Sequence, residues 1–266
     1  MEKLKQIYGE WCLIAGAAEG LGRAFAESAA RKGMGVILVD VQEGLLEEFG
    51  SRLERSHGIP VRLLHLDLAR EKASEVMMKM IGEYSCRLVI YNAAYSRVKR
   101  FLENDPPELD RYVQVNMRTP MQLIHAYAAH YRNGPEVRKG LILMSSLAGS
   151  WGTRLLGPYG ATKAFTQILA ESLNIELEPD GFDVLVSITG ATATPGYLSS
   201  LPGKRTPPGG IMDPESVAEE CYRALGQRPY VIPGSRNRIA YFMLTRVLPR
   251  KHSLRIMNRQ VEKLYR

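Results

Sequence analysis

The chain has 266 residues, 45% of them apolar and 24% charged, with a formal net charge of +7. This composition excludes a low-complexity or disulfide-scaffold chain, and no apolar run approaches the roughly 18 residues of a transmembrane helix. The charge is unevenly placed: residues 223–266 carry eleven Lys and Arg against one acid, Glu262, so that segment is +10 and the remainder −3.

In chain order, "MEKLKQIYGEW" lacks the apolar centre of a signal peptide and is expected to be the true start of a cytoplasmic protein. Short apolar, β-branched runs then alternate with stretches of helical period. Strands are predicted at 11–16, 35–40, 61–67, 86–92, 140–146, 182–188 and 230–233. The helices between them fall at 20–33, 43–56, 71–83, within 107–131, at 158–178 and at 213–225. Strands that are apolar throughout must be buried on both faces, which a parallel sheet covered by helices provides. Repeated βαβ units with right-handed crossovers predict an α/β fold, a single-domain Rossmann-type doubly wound parallel sheet of about seven strands.

The expected organisation is one dinucleotide-binding and catalytic domain over 1–266, with two appendages. Residues 194–214, "TPGYLSSLPGKRTPPGGIMDP", are rich in Pro and Gly and leave the carboxyl edge of the sheet. They are expected to form an irregular substrate lid. Residues 234–266 predict a basic helical extension whose charged side is a solvated face. The extension has no motif of a nucleic-acid reader. Its run "IAYFMLTRVLP" makes docking on an anionic membrane surface or on a neighbouring subunit the alternative. Cys12, Cys86 and Cys221 lack metal spacing and are expected as buried free thiols. The histidines (57, 65, 125, 130, 252) share no ligand spacing either, so no metal is expected.

Between the first strand and first helix, "GAAEGLG" sets Gly16, Gly20 and Gly22 in a G-x3-G-x-G pattern. Glycines there let the backbone turn tightly and approach a pyrophosphate at a helix N-terminus. The next strand ends in Asp40, placed to accept hydrogen bonds from the adenosine ribose hydroxyls. Asp40 also opposes a 2′-phosphate: unit charges about 4 Å apart at an effective dielectric near 20 interact by roughly 4 kcal/mol. Glu19 adds negative charge to the same turn. NAD rather than NADP is therefore the expected cofactor.

Tyr159 and Lys163 stand one helical turn apart in "YGATK", a phenol and an ammonium on one face. With the glycine turn, "YNAA" (91–94), "VQVNM" (113–117) and "MSS" (144–146), they make the chain resemble the short-chain dehydrogenases and reductases from about Tyr8 to Pro233. The resemblance implies Asn116, Ser146, Tyr159 and Lys163 as the catalytic set. Ser145 stays open beside Ser146, although the thirteen-residue spacing to Tyr159 favours Ser146. Tyr159 would exchange a proton with the substrate oxygen. Lys163, with the oxidised nicotinamide, would lower its pKa and bind the ribose, while Ser146 held the oxygen and Asn116 supported a water leading to solvent. The same resemblance places Gly16, Glu19, Gly20, Leu21, Gly22, Asp40, Asp67, Leu68, Asn92, Ala93, Gly190, Thr192 and Thr194 at the cofactor, with Asp67 meeting adenine and Thr194 the carboxamide.

Three positions depart from the family pattern: Ala15 stands where Thr is usual, Ala94 where Gly is, and Thr189 where Pro precedes Gly190. The sequence is also similar to bacterial hydroxysteroid dehydrogenases acting on bile acids, some of which use NADP with a basic residue at the place of Asp40. That implies a secondary alcohol or ketone on a large apolar molecule, with 3-oxoacyl or other carbonyl reduction as the alternative. A cofactor-binding scaffold without activity is the remote one. Tyr95, Trp151, Leu155, Leu156, Tyr197 and Leu201 are candidate substrate walls, and Arg97 or Lys204 candidate partners for a substrate carboxylate. The family also implies a homodimer or homotetramer.

Overall fold

The computed structural model describes residues 3–132, 137–203, 207 and 210–265. Lys204, and residues 204–206 and 208–209 of the expected lid, lie outside the described residues. The chain begins with a short helix α1 (Lys3–Tyr8) that sequence patterning did not suggest. Its Leu4 and Tyr8 are buried, and the Tyr8 hydroxyl donates to Asp183 (2.7 Å). Strands β1 (Trp11–Ala15), β2 (Gly35–Asp40) and β3 (Val61–His65) alternate with helices α2 (Gly20–Arg31), α3 (Glu43–His57) and α4 (Ala73–Glu83). The second half contains β4 (Leu88–Tyr91), α5 (Pro106–Val113), α6 (Thr119–Tyr131), β5 (Lys139–Ser146), α7 (Gly157–Glu176) and β6 (Phe182–Thr189). It continues through α8 (Pro195–Ser200), α9 (Pro214–Ala224), β7 (Tyr230–Val231), α10 (Ser235–Phe242) and α11 (Arg250–Tyr265).

The seven strands form one parallel sheet in the order β3-β2-β1-β4-β5-β6-β7. Successive residues of a strand point to opposite faces, so β1 sends Cys12 and Ile14 into one apolar layer and Leu13 and Ala15 into the other. Phe25 and Val217 close the first layer, Met77 and Tyr127 the second. The exception is β3, an edge strand whose Arg62, Leu63 and His65 are exposed because its outer side has no strand beside it. Strand order reverses between β1 and β4, and at such a reversal the loops diverge and open a crevice at the carboxyl ends of the strands.

Three expectations change in detail. The single helix expected within 107–131 is two, joined by a π turn at Gln114–Arg118. The segment 194–214 is not wholly irregular. Thr194 caps α8 by accepting from Tyr197 N (3.2 Å), Pro195 starts the helix with its fixed φ, and Thr192 pairs with Met212 across the loop. The basic extension holds helices α10 and α11 and is not only a solvated face, because part of it lines the cleft described next.

Candidate active site

The glycine turn is built by close packing. Gly16 has φ +79° and lies so near Ala93 that an added Cβ would come within 2.7 Å of its Cα. At Gly22 a Cβ would fall 1.7 Å from the Gly16 carbonyl oxygen, so no other residue fits there. Gly20, φ +59°, is pressed against Thr194. The side chain of Glu19, at the N-terminus of α2, caps none of the helix's free amides, which leaves that end open to an anion. Asn92 fixes the turn from β4 by donating to Gly16 O (2.8 Å), and Asn92 and Ala93 donate their main-chain N–H groups to Ala15 O.

Asp40 is buried at the end of β2, where its two carboxylate oxygens accept from Ala18 N (2.9 Å) and Gln42 N (3.1 Å). It therefore braces the glycine turn as well as bordering the cleft. Asp67 accepts from Ala69 N (2.9 Å) and pairs with Arg111 (3.0 Å), a partner 44 residues away that the sequence reading did not contain. The Glu19 carboxylate faces Gly196 of α8, 3.8 Å from where a Cβ there would sit.

Beside this turn, β5 ends in two serines that part company. Ser145 is buried and donates to Lys163 O (2.7 Å). Ser146 faces the cleft, accepts from Ala148 N (3.2 Å) and lies near enough to the Tyr159 phenol to favour its ionised form. Of the two serines, the one near the Tyr159 phenol is Ser146. Helix α7 seats against the loop after β5 through two glycines: a Cβ on Gly160 would lie 2.7 Å from Ala148 O, and one on Gly149 2.8 Å from Ala164 N. That contact turns Tyr159 into the cleft and Lys163 beneath it, with the ammonium 5.7 Å from the phenol ring centre.

Lys163 is buried and donates to Met144 O (2.6 Å); burial lowers its pKa to about 8. Burial raises Tyr159 to about 12, opposed by the nearby Ser146 hydroxyl, which favours the ionised form. Without a cofactor, desolvation is the largest influence on the phenol, which stays protonated at neutral pH.

Asn116 sits in the π turn, a form concentrated at functional sites. Its amide nitrogen donates to Tyr95 O (2.9 Å) and Thr162 Oγ1 (3.0 Å), and its oxygen accepts from Tyr95 N (2.7 Å). The side chain is thereby committed to joining the loop after β4 to α7. Between Asn116 and Lys163 lies a small cavity of about 10 Å³, close to the size of one water.

The cleft around these groups measures about 1440 Å³, above the roughly 300–1,000 Å³ of a site for one small ligand. It has room for a dinucleotide and a second molecule. Gly16, Gly20, Leu21, Asp40, Asp67, Leu68, Gly190, Thr192 and Thr194 border it. Of the candidate walls, Tyr95, Leu156 and Tyr197 line it, as does Arg97, the candidate partner for a substrate carboxylate. Trp151 also lines it, although it is 4% exposed and packs on Tyr241. Leu201, Leu155 and Gly22 are not among its lining residues. Leu201 ends α8, Leu155 adopts φ +65° with its carbonyl accepting from Lys99 N (3.1 Å), and Gly22 faces the inside of the turn.

Helix α11 supplies a wall that the sequence reading missed: Met257, Val261, Leu264 and Tyr265 face the cleft. Tyr265 lies near enough to Tyr159 to raise its pKa. The helix is tied to the loop before α7. Arg154 N donates to Asn258 Oδ1 (2.9 Å), Asn258 donates to Gly152 O (3.2 Å), and Arg154 pairs with Glu262. The apolar period of 254–265 was the available signal, but nothing local says which surface that stripe covers.

The short chain dehydrogenase family model matches residues 10–201. The chain belongs to that family. This short-chain dehydrogenase is therefore an oxidoreductase of CH–OH groups that binds a nicotinamide cofactor. Among its relatives is the 7beta-hydroxysteroid dehydrogenase of Mediterraneibacter gnavus, 31% identical over 88% of this chain and 90% of the relative. The enzyme of the same name from Collinsella aerofaciens is 30% identical over the same shares. A solved 7beta-hydroxysteroid dehydrogenase structure superposes with a TM-score of 0.86 at 29% identity, covering 96% of this chain and 98% of that one.

Proposed function

We propose that this short-chain dehydrogenase interconverts a hydroxyl and a ketone on a bile-acid steroid nucleus with NAD as cofactor, the 7β position being the first to test. The observation that carries the reaction is the Ser146–Tyr159–Lys163 cluster at the floor of a cleft large enough for two ligands. The cofactor fits this chain on three counts: the α2 terminus bears no side-chain cap, Gly16 and Gly20 have no Cβ to block the approach, and Asp40 borders the cleft. Gly16, Gly20, Leu21, Asp40 and Lys163 would hold it, with Asp67, Asn92, Thr192 and Thr194 around them. When bound, the nicotinamide gives up or accepts the hydride at the substrate carbon.

In ketone reduction, Tyr159 donates its phenolic proton to the carbonyl oxygen, and its high pKa keeps it supplied with that proton near neutrality. In the alcohol direction the phenolate accepts the hydroxyl proton. Ser146 holds the substrate oxygen beside the phenol. Lys163, charged below about pH 8, keeps a positive charge under the ring and binds the cofactor ribose. Asn116 positions the loop carrying Tyr95 against α7, beside the water-sized cavity that leads toward Lys163.

The choice of NAD rests on the carboxylate of Asp40, since a 2′-phosphate there meets like charge. The steroid reading rests on the likeness to 7beta-hydroxysteroid dehydrogenases and on the apolar walls of Tyr95, Leu156, Tyr197 and α11. The test is an absorbance assay at 340 nm with NAD and NADP taken separately. Its substrates are bile acids hydroxylated singly at positions 3, 7 and 12, plus a 3-oxoacyl thioester. Turnover of a steroid with NAD, lowered roughly 10³-fold or more in Tyr159→Phe while NADH binding persists, is the expected result. Activity on the thioester alone discards the steroid, and full activity in Tyr159→Phe discards the mechanism.

A further inference from the structure

Helix α10 and the π turn that follows it, Met243–Val247, have two unlike sides. The inner side is fixed. Asn237 is buried over Gly190 and donates to Pro233 O (2.9 Å), and Tyr241 packs its ring on Trp151. The outer side shows apolar groups to solvent: Ile239 is 65% exposed and Phe242 58%, with Met243 and Val247 alongside. Arg236, Arg246, Arg250 and Lys251 are exposed among them, and among the described residues none of the four forms an ion pair. Arg238 on this helix is paired, with Glu220 (3.0 Å). An exposed apolar patch rimmed by charge marks an interaction surface.

The charge pattern selects the partner. A second copy meeting this face about a twofold axis would set unpaired arginines against their equivalents, with no acid between residues 223 and 261 to answer them. A nucleic acid would satisfy the arginines and leave Phe242 and Ile239 without an apolar environment. An anionic lipid surface satisfies both sets: the apolar side chains enter at the headgroup boundary while the cations remain among phosphates. No helix among the described residues is long and apolar enough to cross a membrane, so the contact is peripheral. We propose that the outer face of α10 and its π turn docks this protein on an anionic phospholipid surface. Arg236 and Ile239 also border the cleft, so the docked face brings the rim of the site to the lipid. The docking itself does not depend on which substrate the site takes.

The test is flotation of the full chain with vesicles of phosphatidylcholine, alone or with three parts in ten phosphatidylglycerol, at low and high salt. Binding to the phosphatidylglycerol vesicles that weakens with salt is expected, with little binding to phosphatidylcholine alone. Phe242→Ser with Val247→Ser keeps every charge and should lower the partition coefficient roughly tenfold or more. Arg246→Gln and Arg250→Gln should each lower it roughly fivefold. No binding to phosphatidylglycerol vesicles overturns the proposal. So does unchanged binding in the Phe242/Val247 double variant, which would mean attraction by charge alone. In lipid-free buffer, sedimentation of that variant as a smaller oligomer than the wild type would assign the face to a second copy and likewise overturn it.

Discussion

Lys163 is held in the fold at a cost, and the cost should be measurable. Its ordinary pKa of 10.5 falls to about 8 through burial alone, so at neutral pH the fold carries an ammonium that it disfavours. At roughly 1.4 kcal/mol per tenfold change in proton affinity, the penalty is about 3 kcal/mol at pH 7. Lys163→Met removes the charge and also the hydrogen bond to Met144 O, a loss of about 1 kcal/mol. The variant, inactive by the proposed mechanism, should therefore be more stable than the wild type by about 2 kcal/mol at pH 7. For a base whose folded pKa is depressed, the unfolded chain binds the extra proton between the two values. Wild-type stability thus recovers as pH rises from about 8 toward 10.5, and the advantage of the variant should shrink by about 2 kcal/mol between pH 7 and 9.5. Urea denaturation of both proteins without cofactor, at pH 7, 8.5 and 9.5, measures the difference directly. A variant less stable at pH 7, or a gap that does not move with pH, would refute the reasoning.

Other substitutions probe the rest of the site. Gly22→Ala puts a methyl group into the Gly16 carbonyl and should cost at least about 4 kcal/mol, seen as a fall of roughly 10 °C in thermal melting. Asp40→Ala should narrow the NAD preference over NADP at least about tenfold by kcat/KM, and should also lower stability by about 2 kcal/mol because Ala18 N and Gln42 N lose their acceptor. An unchanged cofactor ratio would separate the brace from the selectivity. Tyr265→Ala opens the cleft wall beside Tyr159 and should raise KM for a bulky substrate roughly tenfold or more, while the affinity for NADH, measured by fluorescence titration, stays the same. Equal KM values would remove α11 from the substrate wall.

The parts of this site that were legible in the sequence are those whose geometry is local. The glycine turn, the acid closing β2 and the Tyr159/Lys163 pair each sit within one strand–turn–helix unit or one helical turn, so spacing alone places their atoms. The sheet followed for the same reason, because runs such as "GVILVD" and "FDVLVSI" bury both faces wherever they lie. What stayed hidden depends on contacts distant in sequence. Tyr265 reaches the neighbourhood of a tyrosine 106 positions earlier only because Asn258 and Glu262 anchor α11 on the loop around Arg154. Arg111 finds Asp67 across 44 residues. Helix α8 was concealed by its composition, since Pro195 and Gly196 read as breakers until Thr194 is seen to cap the turn. The fate of Asn116 was similarly obscured, as no pattern in "VQVNM" announces a π turn or a side chain fully used in joining two elements.

The two ends of the chain are unequal places to attach anything. Helix α1 packs beside Asp183 and Gly226 at the amino-terminal edge of the sheet, far from the carboxyl ends where the cleft opens. Helix α11 carries the last described residue, Tyr265, into the wall of that cleft. An affinity handle fused directly after Tyr265 would emerge beside the reacting groups, crowding entry and loosening the Arg154–Glu262 tie. The same handle placed ahead of α1 would hang from the opposite side of the molecule. Expression vectors for this protein should therefore carry their tags in front.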